Sequence, residues 1–213
     1  MVVRIEVQDA SLRLAATDSH RLAVRDLVPQ ALGAPFVCHI AADTAAAWRD
    51  ELLAADGLID LEHDGSTITM LHGESHCDAV EVAVTFPDYE PVLSPPSTVS
   101  SSIVTNQAAL RSALEHCQGT GVDVSTTGHE LLLADTGTSH GPAQAGSHSL
   151  PANITGERCR FRINRDYMLD AVDSVDEGEV VIETRSNDEA VVIRSADDGV
   201  RATMIMPILE NAS

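Results

Sequence analysis

The sequence predicts an α+β protein built from a repeated unit in which one helix is followed by several short antiparallel strands. Short runs of alternating apolar and polar residues are typical of half-buried strands. These runs recur between segments whose apolar residues follow helical spacing. The helix-plus-strands order occurs three times at intervals of roughly 50 to 60 residues, a spacing that indicates internal duplication.

The composition is that of a globular chain with an unusual charge. The 213 residues are 44% hydrophobic but only 3% aromatic, so Ala, Val, Leu and Ile must form the core. There is no lysine, and 33 acidic residues against 13 arginines give a formal net charge of -20. Such a charge disfavours nucleic acid unless positive side chains gather on one face. No apolar run approaches the ~20 residues of a membrane span, and no signal pattern opens the chain, so we expect a cytoplasmic protein.

The first part of the chain is predicted to hold three strands, a helix and a hairpin. The strands carry Val3, Ile5 and Val7, then Leu12 and Leu14, then Leu22 and Val24. The helix is expected to be capped by Asp43 or Thr44 and to end at Gly57. Its predicted inward residues are Ala45, Trp48, Leu52 and Ala55. A hairpin at Asp64-Gly65 and a strand with Val80, Val82, Val84 and Phe86 follow.

The first 27 residues look like the strand half of a further unit whose helix is missing. A sheet face without its helix would leave apolar surface exposed to water.

The rest of the chain repeats the order twice. One helix begins near Asn106 and is followed by a hairpin near Thr127-Gly128 and a strand from His148 to Ile154. The other follows a strand from Cys159 to Ile163 and carries Met168, Leu169, Val172 and Val175. The last predicted strands are 180–184, 190–194 and 200–207.

A proline cluster marks the predicted domain boundary. Pro87, Pro91, Pro95 and Pro96 precede a serine-rich stretch to Ser102. Proline stiffens a connector and prevents a strand from continuing. We therefore predict domains at 1–93 and 94–213.

Candidate chemistry is sparse. Asp18, His20 and Arg21 lack a nucleophile or second carboxylate at useful spacing, so a turn is favoured over acid–base catalysis. His72, His76 and Cys77 in "LHGESHC" have no strong partner pair, and a solvated loop is favoured over a metal site. The four cysteines form no C-x-x-C pair, and the sequence indicates neither an enzyme nor a cofactor.

Three motifs in order carry a family resemblance. "LRLAATDSHRLAVRDL", "FPDYEPVL" and the C-terminal "MIMPIL" resemble the bacterial sliding clamp, the beta subunit of DNA polymerase III. The match begins partway into the second of that family's three domains and runs through the third. It implies a DNA-clamp fold of duplicated βαβββ halves, with antiparallel sheets outside and helices inside a ring. Because the first domain has no counterpart, we expect that this chain does not close such a ring alone.

The resemblance also implies a binding site for short linear peptides of polymerase, loader or repair proteins, in an apolar pocket between domains. Methionine, proline and branched aliphatic side chains form an adaptable groove. The residues carried over by motif are Thr17, Ser19, His20, Arg21, Leu22, Pro87, Val92, Met204, Met206, Pro207 and Ile208.

Two positions depart from the family pattern, which places glycine where Ser19 stands and arginine before the final leucine. Serine restricts positive φ, and here Ile208 directly precedes Leu209. We therefore expect a pocket with changed selectivity.

The predicted helices form a poor surface for DNA. A clamp directs basic residues from its helices toward the phosphates. The segments 43–56, 106–117 and 164–177 instead hold three arginines against ten carboxylates.

A second interpretation therefore stays open, in which the fold serves as the effector domain of a MerR-type transcriptional regulator and takes a small-molecule or peptide signal. In actinobacteria, clamp-like domains resembling this one follow MerR-type DNA-binding domains. The lysine-free composition suits such a high-GC genome. The residues do not specify an oligomeric state.

Overall fold

A computed structural model of the chain describes residues 1–8, 11–31, 33–93, 99–136, 146–175, 178–196 and 201–209. These residues form two compact units. Unit 1 comprises Met1–Asp18 and Val24–Asp88, and unit 2 comprises Ser19–Ala23 and Tyr89–Ser213. None of the helices in the described ranges is long and apolar enough to cross a membrane.

Unit 1 contains two sheets and one long helix. Its elements are β1 (Val2–Gln8), β2 (Ser11–Thr17), β3 (Arg21–Leu27), β4 (Phe36–Ala41), α1 (Ala42–Ala54), β5 (Asp60–His63), β6 (Thr67–His72) and β7 (Ser75–Val80). The strands β3, β2, β1 and β4 lie side by side in that order, and β5, β6 and β7 form a separate antiparallel sheet. The first three residues of β3 are grouped with unit 2.

Unit 2 holds the remaining elements. These are α2 (Glu90–Leu93), β8 (Ser101–Asn106), α3 (Gln107–His116), β9 (Gly121–Thr127), β10 (Glu130–Asp135), β11 (Ser147–Gly156), β12 (Arg160–Asn164), α4 (Arg165–Asp173), β13 (Glu179–Thr184), β14 (Val191–Ser195) and β15 (Arg201–Ile205). Their strand order is β12-β9-β10-β11-β8-β13-β14-β15.

Unit 2 is an internal duplication of the βαβββ order. One half runs from β8 to β11 and the other from β12 to β15. The first strand of each half pairs with the second strand of the other, so β8 pairs with β13 and β12 with β9. The repeat that the hydrophobic spacing predicted is therefore confirmed, and α3 packs against α4.

Each unit has its own hydrophobic core. The core of unit 2 is large and built from aliphatic side chains, including Ile103, Leu110, Leu114, Val172 and Ile182. The core of unit 1 is smaller and consists of Ile5, Cys38, Ile40, Trp48, Ile68, Met70 and Ala79. The scarcity of aromatic residues is thus matched by cores that are mainly aliphatic, although Trp48 is buried in the core of unit 1 and Phe36 packs against it.

The helix ends were predicted with mixed success. Asn106 and Asn164 cap α3 and α4, because their side chains accept hydrogen bonds from the backbone N–H of Ala109 and Tyr167. The predicted caps of α1 are wrong. This helix begins at Ala42 after Ala41, which offers no side-chain cap, and it ends at Ala54 rather than at Gly57.

Several strands also differ from the prediction. The strand expected from Val80 to Phe86 lies earlier, at β7, and residues 81–89 form no strand. The strands β4 and β8 were not predicted, the latter because Ser101 was assigned to a linker. Asp9, Pro95, Pro96, His140, Asp176, Glu177 and Val200 lie outside the described residues.

Candidate functional site

The turn before β3 has a backbone conformation that serine rarely adopts. Ser19 has a φ of 75°, the one positive value among the non-glycine residues that the structure describes. A left-handed conformation brings Cβ close to the following carbonyl oxygen and costs roughly 1–2 kcal/mol for a residue other than glycine. The position that departs from the family pattern therefore keeps the conformation that glycine would favour.

This turn meets the C-terminal segment of the chain within unit 2. The backbone N–H of Met206 donates a hydrogen bond of 2.8 Å to the carbonyl oxygen of His20. His20 is exposed, whereas Leu22 beside it is buried. Two predicted site segments far apart in sequence are therefore neighbours.

The C-terminal segment combines buried anchors with exposed apolar side chains. Met204 and Pro207 are buried, while Met206 and Ile208 are 48% and 42% exposed. The N–H of Ile208 donates to the carbonyl oxygen of Arg162 at 2.8 Å. Because the backbone is held at both ends, Met206 and Ile208 remain presented to solvent.

Arg21 is held by two residues that the sequence did not single out for this site. Its guanidinium carbon lies 4.3 Å from the centroid of the Tyr167 ring, and Nη1 donates to the carboxylate of Asp170. Stacking of this kind contributes about 0.5–1 kcal/mol at an exposed site. Tyr167 is one of two tyrosines in the chain, and this rarity is the one feature of the sequence that could have indicated a role for it in the site.

Two carboxylates of α4, both exposed, bind arginines from other parts of unit 2. Asp170 accepts a hydrogen bond from the guanidinium of Arg21, and Asp173 accepts one from Arg111 at 2.7 Å. Both carboxylates are partly exposed, so each pair contributes at most about 1 kcal/mol. Their main effect is to fix where the arginines point.

Three further predicted site residues are Thr17, Pro87 and Val92. Thr17 ends β2 and Pro87 is exposed in the segment after β7, and both belong to unit 1. Val92 falls within α2, but its side chain lies outside what the structure describes.

The three long helices are acidic within their observed bounds, as the longer predicted segments are. The segments α1, α3 and α4 hold three arginines against seven carboxylates. All three arginines form ion pairs with carboxylates: Arg49 with Asp50, Arg111 with Asp173 and Glu115, and Arg165 with Asp166.

The residues of "LHGESHC" lie on a hairpin. His72 ends β6, while His76 and Cys77 belong to β7. The ring Nε2 of His72 lies 2.8 Å from the carbonyl oxygen of Asp56. In the described part of the chain, no group of three or more His, Cys, Asp or Glu side chains has the arrangement of a metal site.

The duplicated βαβββ halves, with strands exchanged between their sheets, define an α+β fold of the DNA-clamp class. No protein-family model matches the chain. Two curated relatives are named Beta sliding clamp. The protein of Synechococcus elongatus is 24% identical over 219 residues, covering 97% of this chain and 57% of the relative. The protein of Vibrio cholerae is 25% identical over 214 residues, covering 95% and 56%.

A solved structure agrees with these relatives. The DNA polymerase III beta subunit of Thermotoga maritima superposes with a TM-score of 0.85 at 18% identity, covering 98% of this chain and 57% of that one. The chain therefore has the fold of the bacterial sliding clamp, and the resemblance stated from its motifs is confirmed. It spans a little more than half the length of these proteins. All of them are clamps, so they lend no support to the regulator interpretation.

Proposed function

We propose that this chain is a non-catalytic protein of sliding-clamp type that binds short linear peptides of polymerase, loader or repair proteins. The binding surface consists of His20–Leu22 and Met204–Ile208 in unit 2. Thr17, Ser19, Pro87 and Val92 are carried over to this site by motif alone.

The hydrogen bond between Met206 and His20 is the observation that carries this proposal. It joins the two motifs that the resemblance assigns to one site. Met206 and Ile208 are exposed, whereas Met204 and Pro207 are buried. The exposed apolar side chains are therefore attached to a backbone segment that is anchored in the protein. Methionine adapts to partners of different shape.

The selectivity of this site follows from Arg21. Its guanidinium is stacked on Tyr167 and paired with Asp170. A carboxylate on a peptide would have to compete with Asp170 for this cation. The site therefore favours apolar and hydrogen-bonding side chains over acidic ones.

A fluorescence-polarisation titration with a labelled clamp-binding pentapeptide tests the proposal. Saturable binding is expected, and Met206→Ala should weaken it by about tenfold, since an apolar anchor contributes more than 1 kcal/mol. Val80→Ala, at an exposed position on β7, is the matched control and should leave the affinity unchanged. Absence of saturable binding, or equal affinity in Met206→Ala, would contradict the proposal.

Tight binding to DNA is not part of this function. The three long helices carry more than twice as many carboxylates as arginines, and those arginines form ion pairs. Because the arginines of these three helices already bind carboxylates, they replace few counterions, and the affinity of this surface for phosphate is low. We expect no retention of linear duplex DNA in a mobility-shift assay at about 0.15 M salt, and a salt-sensitive shift would show that this expectation is wrong.

A further inference from the structure

The contact between Arg21 and Asp170 presents its negative member to solvent. The side chain of Asp170 is 66% exposed, whereas that of Arg21 is 31% exposed. One face of the guanidinium lies on the ring of Tyr167. A ligand that approaches this pair therefore meets the carboxylate before it meets the cation.

The arginine–carboxylate pairs that join neighbouring strands of unit 2 are built differently. In the pair of Arg162 and Asp123 between β12 and β9, the side chains are 27% and 24% exposed. Both oxygens of Asp123 accept hydrogen bonds, from Nε at 2.7 Å and from Nη2 at 3.0 Å. Such a bidentate pair leaves little of its charge to a ligand. The pair of Arg21 and Asp170 is the more open of the two.

Asp170 keeps hydrogen-bonding capacity that Arg21 does not use. Nη1 of Arg21 donates to Oδ2 of Asp170, and an ionised carboxylate has about four lone-pair positions. Because most of this side chain is exposed, a second cationic group reaches it without displacing Arg21. Asp170 therefore has the capacity to bind a cationic side chain of a ligand through a charge-assisted hydrogen bond.

The carboxylate lies next to the apolar part of the proposed peptide site. The helix α4, which carries Asp170, packs against β15, the strand that leads into Met206. From the other side, Asp170 binds Arg21. The preceding residue, His20, accepts the backbone hydrogen bond of Met206. A peptide whose apolar side chain lies on Met206 and Ile208 therefore has Asp170 within reach of a flanking residue.

We propose that Asp170 is a specificity-determining residue of the peptide site, which selects a basic residue beside the apolar anchor of the peptide. The inference rests on the proposed function and names the chemistry of the partner at the same site. A lysine or arginine of the peptide donates to the exposed carboxylate, whereas a glutamate is repelled by it before it reaches Arg21. Tyr167 is a positioning residue, because its ring covers one face of the guanidinium and keeps Arg21 the less exposed member of the pair.

Three labelled peptides test the inference by fluorescence polarisation with the whole chain at about 0.15 M salt. Each contains the same clamp-binding pentapeptide with its terminal charges blocked, flanked on both sides by glutamine, by lysine or by glutamate. The quantity compared is the ratio of the dissociation constant of the glutamate peptide to that of the lysine peptide. We expect a ratio of at least about five in the unchanged protein, and a smaller one at about 1 M salt.

Variants of the pair should move this ratio in opposite directions. Asp170→Asn should lower it to about one or below, because Arg21 loses its partner and attracts glutamate, while the affinity for the glutamine peptide changes less than about twofold. Arg21→Gln should raise the ratio, since the carboxylate is then left without its cation. Tyr167→Leu should lower it, and Tyr167→Phe, which keeps a ring under the guanidinium, should not. A merely structural role would instead weaken the binding of all three peptides alike.

Asp173→Asn is the matched control, because it makes the same change in net charge on the same helix, at a carboxylate that Arg111 of α3 binds. It should leave the ratio unchanged. The inference is overturned if Asp170→Asn keeps the ratio of the unchanged protein. It is also overturned if Asp173→Asn lowers the ratio as much, which would assign the preference to the overall charge of -20. In both cases, binding of the glutamine peptide leaves the proposed function intact, whereas failure of all three peptides to bind would contradict that function and this inference together.

Discussion

The helices α1 and α4 occupy the same place in two copies of one repeat, yet they are buried to different extents. Both follow a strand that pairs with the other half, and both lead into three antiparallel strands. The helix α4 buries Met168, Ala171 and Val172, whereas α1 buries Trp48 alone.

The cause of this difference lies outside the helices. α4 packs against α3, and α1 has no helix beside it in the described residues of unit 1. At the seventh position after the cap, α4 carries Ala171 and α1 carries Trp48, so one large ring fills space that several smaller side chains fill in unit 2. Trp48 is therefore the main buried contact of α1, with Ala45 packed beside it against the core, whereas α4 also packs against a second helix.

The largest expected effect comes from removing Trp48. Trp48→Ala gives α1 the alanine that α4 has at the corresponding position, Ala171. In α4 the packing of α3 supplies further burial, and the described part of unit 1 has no second helix to do so. We expect a loss of about 3–5 kcal/mol in the stability of unit 1, from lost burial and the cavity left behind. Urea unfolding followed by far-UV circular dichroism measures this loss.

Leu53→Ala is the matched change on the same helix. Because Leu53 is mostly exposed, its truncation should change the stability by less than about 0.5 kcal/mol. If Trp48→Ala costs no more than Leu53→Ala, the helix is held by something other than its tryptophan.

A smaller effect is expected at the turn before β3, where Ser19→Gly should increase stability by about 1 kcal/mol. Glycine adopts the positive φ of Ser19 without the clash of Cβ, although part of the gain is offset by the freedom of glycine in the unfolded chain. Thermal unfolding monitored by circular dichroism is the measurement. Ser102→Gly, in the strand β8, should instead lower the melting temperature, and a lower value for Ser19→Gly would contradict the expected relief of strain.

The smallest expected effect is a dependence of the stability of unit 1 on pH. Burial, with a further contribution from Arg4, holds the pKa of His39 below its usual value, although Glu81 acts in the opposite direction. The unfolded chain therefore binds a proton that the folded chain does not, and stability decreases as the pH falls below about 6.5. Urea midpoints from Trp48 fluorescence at about pH 7.5 and 5.5 report it. His39→Gln should reduce the difference between the two midpoints, and an unchanged difference would exclude His39 as its source.

The sequence predicted elements well where local signals agree. Asn106 is both the last residue of a strand and a helix cap, so the start of α3 was correctly expected. The strand β8 was missed because Ser101 and Thr105 occupy its buried positions beside Ile103. Polar residues on the core face hide the alternation that identifies a strand. The buried Leu52 predicted from helical spacing is wrong, because burial depends on a covering helix that the spacing does not reveal.

The candidate site, like the helices, was only partly predictable from the sequence. Its motifs identified His20 and Met206, which the structure joins. Asp170 lies 149 residues from Arg21 in the chain, and no periodic pattern connects the two. Pairs of this kind depend on tertiary structure, which motif spacing does not encode.

Native-state amide hydrogen exchange tests the central comparison most directly, since it reports the opening of each helix in the intact chain. We predict that amides of α1 and β5 exchange at least about 100-fold faster than those of α3 and α4. Equal protection of α1 and α4 would contradict this prediction, because it would mean that the helix of unit 1 needs no second element to cover it.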